Sequence, residues 1–176
     1  NKYGVFSKVD IIDDSQSYNA YFISLEAAKT NEVKTALSQL FPGSEMTNLL
    51  ESDSIDNGSL QKVESECGVA FYANTTRQGL VVLLNDSGSQ LINTLIETQS
   101  VPCYSQVVFD AIQIESVHAS VQGEAVAEYV PQMINVQALN GIDFDKGCYM
   151  GQEVVARTRF LGKNKRAAYS FKLEEN

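Results

Sequence analysis

The sequence predicts an α+β fold with mainly antiparallel strands. Apolar runs separated by short polar turns indicate hairpins, and two further segments have apolar residues at helical spacing. The chain has 44% hydrophobic and 20% charged residues, which is typical of a globular domain. No apolar run approaches the ~20 residues that a membrane-spanning helix needs. We therefore expect helices packed on antiparallel sheets, and neither a disordered tail nor a transmembrane protein.

Four segments have the composition of β-strands. Residues 3 to 12 and 18 to 25 are rich in Val, Ile, Tyr and Phe and flank a polar turn, so they predict a first hairpin. Residues 68 to 73 and 80 to 84 have the same character, and they predict a second hairpin.

Two segments have the spacing of amphipathic helices. The first covers about 31 to 41 and ends at a Pro-Gly pair. The second covers about 89 to 98, and Ser87 and Gln90 in front of it fit a capping box. We expect both helices to pack on one face of a sheet.

Two regions are less regular. Residues 44 to 66 are acidic and lack an apolar period, so we expect a long surface loop that contains at most a short strand. The spacing in residues 105 to 118 fits a strand and a helix about equally. The order strand, helix, strand, strand, helix resembles a ferredoxin-like unit. We place that unit in residues 1 to 104 and a second region in residues 105 to 176.

Charge and cysteine content exclude several classes of function. The net charge of −9 argues against general polyanion binding. Cys67, Cys103 and Cys148 are odd in number and form no CxxC pair, which disfavours a disulfide framework and a Cys-rich zinc site. Because His118 is the only histidine, a multi-histidine metal site is excluded, and we expect no metal ligands.

One segment reverses the charge of the chain. Residues 146 to 166 hold six of the 13 basic residues and one acidic residue, Glu153, so this window carries +5 and the remainder −14. The window therefore predicts a local anion-attracting segment. A solvated helix face with clustered charges is the alternative explanation.

A cysteine lies between two glycines in this window. A helix that begins near Gly151 would direct free amides toward Cys148, and Lys146 and Arg157 add positive charge, which favours a thiolate. Two alternatives remain open, because a lone cysteine is often inert and Glu153 with Arg157 could brace the helix as an i, i+4 pair. The motif consists of Lys146, Gly147, Cys148, Tyr149, Gly151, Gln152 and Glu153.

This motif, followed by Val-Ala-Arg and Asn-Lys-Arg, resembles the signature of the YgfZ folate-binding proteins. These proteins are relatives of the glycine-cleavage T-protein, an aminomethyltransferase. Residues 109 to 115 and 129 to 135 also resemble family segments. The resemblance implies a T-protein-like ring of domains around a folate-sized hole. It also implies that the family's N-terminal segment and C-terminal β-barrel are absent here, so we expect a central piece of a longer chain.

The resemblance also assigns roles to residues. It implies that Cys148 is the functional, catalytic cysteine and that Phe109 matches an aromatic position, usually Trp, in the folate site. Glu115 matches an acidic position that faces the pterin, and Arg157 belongs to the basic groups expected near the folate carboxylates. The alternatives are core packing for Phe109 and a helix-surface carboxylate for Glu115. We expect Phe109 and Glu115 to line one cavity.

The function implied by the resemblance is binding of tetrahydrofolate or a folate derivative in the cytoplasm. Iron–sulphur enzymes, including tRNA-modifying ones, would be the partners, and Cys148 would support their assembly or repair. A folate-dependent one-carbon or thiol-transfer activity and a non-enzymatic role both fit. The alternative function is a tetrahydrofolate-dependent aminomethyltransferase of the glycine-cleavage type, which the cysteine motif argues against. The acidic remainder of the chain disfavours direct nucleic-acid binding, and no membrane partner is expected.

Overall fold

The computed structural model describes residues 12–51, 61–73, 76–162 and 166–173. The chain divides into two compact units. Unit 1 consists of Asn1–Ala73 and Arg77–Cys103, and unit 2 of Asn74–Thr76 and Tyr104–Asn176.

Unit 1 contains a four-stranded antiparallel sheet. Its strands, numbered along the chain, lie in the order first, fourth, third, second, and their antiparallel pairing confirms the predicted α+β class. The second predicted hairpin is confirmed, and so is a strand within residues 18 to 25. Its predicted partner, residues 3 to 12, lies outside the described residues except for Ile12. The strands are β1 (Asn19–Ser24), β2 (Lys62–Ser65), β3 (Gly68–Ala73) and β4 (Gly79–Leu84).

The described residues of unit 1 form four helices. The predicted helices near 31 to 41 and 89 to 98 are confirmed. The expected loop of residues 44 to 66 is wrong in its first third, where an eight-residue helix forms, and its short strand is β2. The helices are α1 (Leu25–Ala28), α2 (Asn31–Leu40), α3 (Ser44–Glu51) and α4 (Asp86–Gln99).

Helix α3 forms because three of its apolar residues lie on one face. Met46, Leu49 and Leu50 occupy positions i, i+3 and i+4 and are buried. The hydroxyl of Tyr72 on β3 donates a hydrogen bond to the carbonyl of Leu49. The helix is therefore bound to the sheet by both apolar burial and a polar contact.

The core of unit 1 lies on one face of the sheet. Alternate residues of β4, Leu80, Val82 and Leu84, are fully buried, as strand geometry requires for one covered face. The same buried cluster contains Leu37 of α2 and Ile92 of α4. Both predicted helices thus pack against this face.

The start of α4 differs from the predicted capping box. Asn85 is the N-cap, and its side-chain oxygen accepts a hydrogen bond from the Gly88 amide at 3.0 Å. Ser87 instead donates to that same oxygen at 2.8 Å. The prediction of Ser87 as cap is wrong because Asn85 is fixed by the β2–β3 turn. The backbone amide of Asn85 donates to the backbone carbonyl of Cys67, and its side-chain amide donates to the backbone carbonyl of Glu66.

In the part of unit 2 that the structure describes there are two helices, α5 (Gln106–Glu115) and α6 (Gln152–Phe160), and short 3-10 turns that include Pro131–Ile134. The ambiguous residues 105 to 118 are thus helical rather than extended, with Ile112 buried. The described part of unit 2 contains no strand. Its buried residues are Ile112, Ser116, Gln132 and Val155.

Candidate functional site

The cysteine motif forms a turn that leads into α6. Gly151 is the N-cap of this helix and has a φ of +88°, a left-handed conformation that favours glycine. The amide of Gln152 donates to the Tyr149 carbonyl at 3.2 Å, which closes the turn. A Cβ on Gly151 would meet no atom within 4 Å. The glycine is therefore required by the backbone conformation rather than by space.

Cys148 lies in this turn, shortly before the helix begins, and is exposed. The functional role of the thiol stays a prediction. The ammonium of Lys146 lies 4.5 Å from the centroid of the Tyr149 ring, a cation–π contact. Lys146, which precedes the cysteine, is thus held against Tyr149, which follows it, so a positive charge is kept beside the turn.

Two arginines of α6 lie in the last turn of the helix. The guanidinium of Arg159 stacks over the Phe144 ring at 3.8 Å from its centroid. Within the described part of the chain, no ion pair joins Glu153 and Arg157, since the salt bridge found there is between Lys62 and Glu64. The expected alternative of an i, i+4 brace is therefore not observed.

A short segment contacts both helix α6, inside the basic window, and Ala168, just after it. In the 3-10 turn Pro131–Ile134, the side-chain amide of Gln132 donates to the Val155 carbonyl in α6 at 2.8 Å. Asn135 follows this turn. Its side-chain nitrogen donates to the Ala168 carbonyl at 2.8 Å, and its side-chain oxygen accepts from the Ala168 backbone amide at 3.3 Å. Sequence reasoning missed both contacts, although both amides lie in the Pro-Gln-x-x-Asn stretch that it singled out.

The residues predicted to contact folate lie on two helices. Phe109, half-buried, and Glu115, exposed, both belong to α5, while Arg157 is exposed on α6. At helical spacing, Phe109 and Glu115 point about 120° apart around the axis of α5. Their predicted shared cavity stays a prediction.

Unit 2 has an open cleft of about 570 Å³ beside the Asn135–Ala168 contact. Neither Phe109 nor Glu115 lines it. The lining residues are Tyr129, Met133, Ile134, Arg166, Ala167, Ala168 and Tyr169.

Two features are absent from the described residues. No group of three or more His, Cys, Asp or Glu side chains is placed to hold a metal ion. No helix in the described ranges has the length and apolar character needed to cross a membrane.

Comparison with known proteins gives a consistent set of relatives. No protein-family model matches the chain. The chain is 32% identical over 169 residues to the tRNA-modifying protein YgfZ of Photobacterium profundum, and this match covers 96% of the chain. It is 33% identical over 168 residues to the protein of that name in Yersinia enterocolitica, again over 96% of the chain. The relative from Colwellia psychrerythraea is 43% identical over 88 residues, half of the chain and 26% of that protein.

The chain belongs to the YgfZ family. It spans 44% of the Photobacterium protein and 46% of the Yersinia protein, so it corresponds to less than half of these YgfZ relatives. The structure brings together several residues singled out by the YgfZ resemblance: Lys146 contacts Tyr149, and Gln132 contacts the motif helix α6.

Proposed function

We propose that this chain is part of a folate-binding protein that supports iron–sulphur enzymes, including tRNA-modifying ones, through Cys148. The observation that carries the proposal is the exposed Cys148 in a glycine-flanked turn before α6, within the motif of the YgfZ family. The relatives' name, tRNA-modifying protein, supports a link to tRNA modification.

The chemistry proposed for Cys148 requires a thiolate. Lys146, held against Tyr149, supplies positive charge beside the turn, and Arg157, which has no ion pair with Glu153, adds positive charge farther along α6. A thiolate there can attack the disulfide of a client, displacing its other sulfur as a thiolate to give a mixed disulfide, or take a one-carbon unit from a folate whose nitrogen leaves and is protonated. It can also ligate iron transiently. One thiolate cannot hold a cluster alone, so a client protein would supply the remaining ligands.

The chemistry of the proposed folate contacts fits the ligand. Phe109, half-buried on α5, offers an aromatic ring for stacking on a pterin or benzoyl group. The exposed carboxylate of Glu115 can accept hydrogen bonds from the 2-amino-pyrimidinone edge of a pterin. The guanidinium of Arg157 suits the glutamate carboxylates of the folate.

The proposed site belongs to a larger architecture. In this proposal the sheet and helices of unit 1 form the ferredoxin-like part of a T-protein-like ring, and the longer protein completes the ring around the ligand. The chain spans less than half of the relatives' length. We therefore expect the full-length protein to bind folate more tightly than the 176-residue chain.

Calorimetric titration with tetrahydrofolate and 5-formyltetrahydrofolate tests the proposal. In the full-length protein, Glu115→Gln is expected to weaken binding about tenfold, because a charged acceptor is lost. Asp110→Asn is the matched control: it also neutralises a carboxylate on α5, and that carboxylate accepts from Gln106 at 2.9 Å. Cys148→Ser is expected to leave folate binding unchanged. Absence of binding to the full-length protein, or equal losses in both carboxylate variants, would contradict the folate assignment.

A further inference from the structure

Gln132 is one of the few buried polar residues in the described chain, with 4% of its surface exposed. Its side-chain amide donates to the Val155 carbonyl at 2.8 Å, and Val155 is itself buried. Water does not compete for a hydrogen bond in such surroundings, and removing the donor leaves the buried Val155 carbonyl with one hydrogen bond fewer.

The contact with Val155 reaches the start of the motif helix. The amide of Val155 donates to the carbonyl of Gly151, the N-cap of α6. Gln132 therefore holds the first turn of α6, the turn that directly follows the Cys148 loop. The position of Cys148 relative to the N-terminal end of α6 is constant only if that first turn does not move.

We infer that Gln132 is a positioning residue for the cysteine motif, holding the first turn of α6 so that the N-terminal end of this helix keeps its place beside the Cys148 loop. The inference rests on the proposed role of Cys148. Gln132 itself contacts neither ligand nor thiol in this scheme, since it acts through the backbone of Val155.

Asn135 provides a control of the same kind. It lies three residues after Gln132, and its side-chain amide also donates to a backbone carbonyl at 2.8 Å, that of Ala168. Its φ is +64°, so Asn135→Gly removes the amide while allowing the same backbone. This variant removes the contact with Ala168, just after the basic window, and leaves the contact of Gln132 with α6 in place.

The experiment measures native-state iodoacetamide labelling of Cys148 relative to Cys103 in the same molecule, together with hydrogen exchange of the α6 amides. In Gln132→Met we expect α6 to exchange about fivefold faster, the effect of losing one typical buried hydrogen bond. Cys148 should then label severalfold more slowly. Because this thiol is already exposed, loosening cannot speed its labelling through access. Gln132→Asn, whose amide is one methylene shorter, should act in the same direction and covers the case in which the Met variant fails to fold.

The outcomes separate the role of Gln132 from the proposed role of Cys148. An unchanged labelling ratio and unchanged α6 exchange in a folded Gln132 variant would overturn the inference and leave the role of Cys148 intact. An equally large fall in the Cys148 labelling rate in Asn135→Gly would also overturn the inference, because the effect would then reflect general loosening of unit 2. If Cys148 labels no faster than Cys103 in the unmodified chain, the proposed thiol role fails, and the α6 exchange alone decides whether Gln132 holds the helix.

Discussion

Two exposed thiols of this chain differ in their charged neighbours. Cys103 and Cys148 are both exposed, and each lies just before a helix, α5 or α6. A helix end alone therefore does not distinguish them. The sequence contains no Lys or Arg from residue 78 to 145, whereas Lys146 precedes Cys148 and Arg157 follows it. Any difference in reactivity should come from these cations.

We predict that Cys148 is the fastest-labelling thiol and that its advantage depends on salt. At low ionic strength it should label roughly threefold to tenfold faster than Cys103, because each nearby cation stabilises the thiolate modestly. At about 1 M salt, where the screening length falls to about 3 Å, the ratio should approach one. Labelling with iodoacetamide followed by peptide mass spectrometry measures both rates in one sample.

Variants separate access from charge in this measurement. Lys146→Gln should lower the ratio at low salt, and Lys62→Gln, which removes a cation from the sheet of unit 1, should leave it unchanged. A ratio that is insensitive to salt and to Lys146→Gln would show that the cations do not activate Cys148.

At the scale of elements, Asn85 joins the β2–β3 turn to α4. Its side chain accepts from the Gly88 amide and donates to the Glu66 carbonyl at 2.7 Å. Asn85→Ala should lower the free energy of unfolding by about 1–2 kcal/mol, since a cap and a second hydrogen bond are lost. Ser87→Ala, at the position that the sequence favoured as cap, should change it by less than about 0.5 kcal/mol. Urea denaturation compares the two variants, and a larger loss in Ser87→Ala would reverse this assignment of the cap.

The elements that sequence reasoning found are those with a clear period. Strands β3 and β4 and helix α2 have unbroken apolar patterns, so local spacing was sufficient. Helix α3 was missed because the acidic composition of its neighbourhood outweighed the i, i+3, i+4 spacing of Met46, Leu49 and Leu50. The pairing of β1 with β4 joins residues far apart in the chain, and local spacing carries no information on such pairing.

The sequence predicted the cysteine motif of the candidate site but not the side-chain contacts that hold the motif helix and the residues after it. The Lys-Gly-Cys turn and the start of α6 near Gly151 followed from the positions of the glycines. The contacts of Gln132 and Asn135 could not be predicted, because a side-chain amide bonded to a distant backbone carbonyl leaves no periodic signal. The placement of Phe109 and Glu115 on one helix was open for another reason, since β-branched residues in α5 favour a strand locally.

At the scale of the whole molecule, burial is unevenly distributed between the two units. The main apolar cluster consists of residues from unit 1. The described large apolar side chains that are exposed lie in unit 2, except for Ile12 and Tyr18. Leu161, Phe171 and Leu173 are more than 80% exposed. Unit 2 therefore buries little apolar surface, and burial is the main source of folding free energy.

This imbalance predicts unequal local stability within the chain. Amides of β3, β4 and α4 should exchange with solvent at least ~100-fold more slowly than those of α5 and α6, because opening unit 1 exposes its buried cluster and opening unit 2 exposes little. Hydrogen exchange of the 176-residue chain, followed by mass spectrometry, measures both units in one experiment. A piece covering residues 12 to 103 should keep the protection of its sheet, since its core residues all lie within it. Equal protection in α6 and β4 would contradict the prediction and would mean that unit 2 gains stability from contacts other than apolar burial.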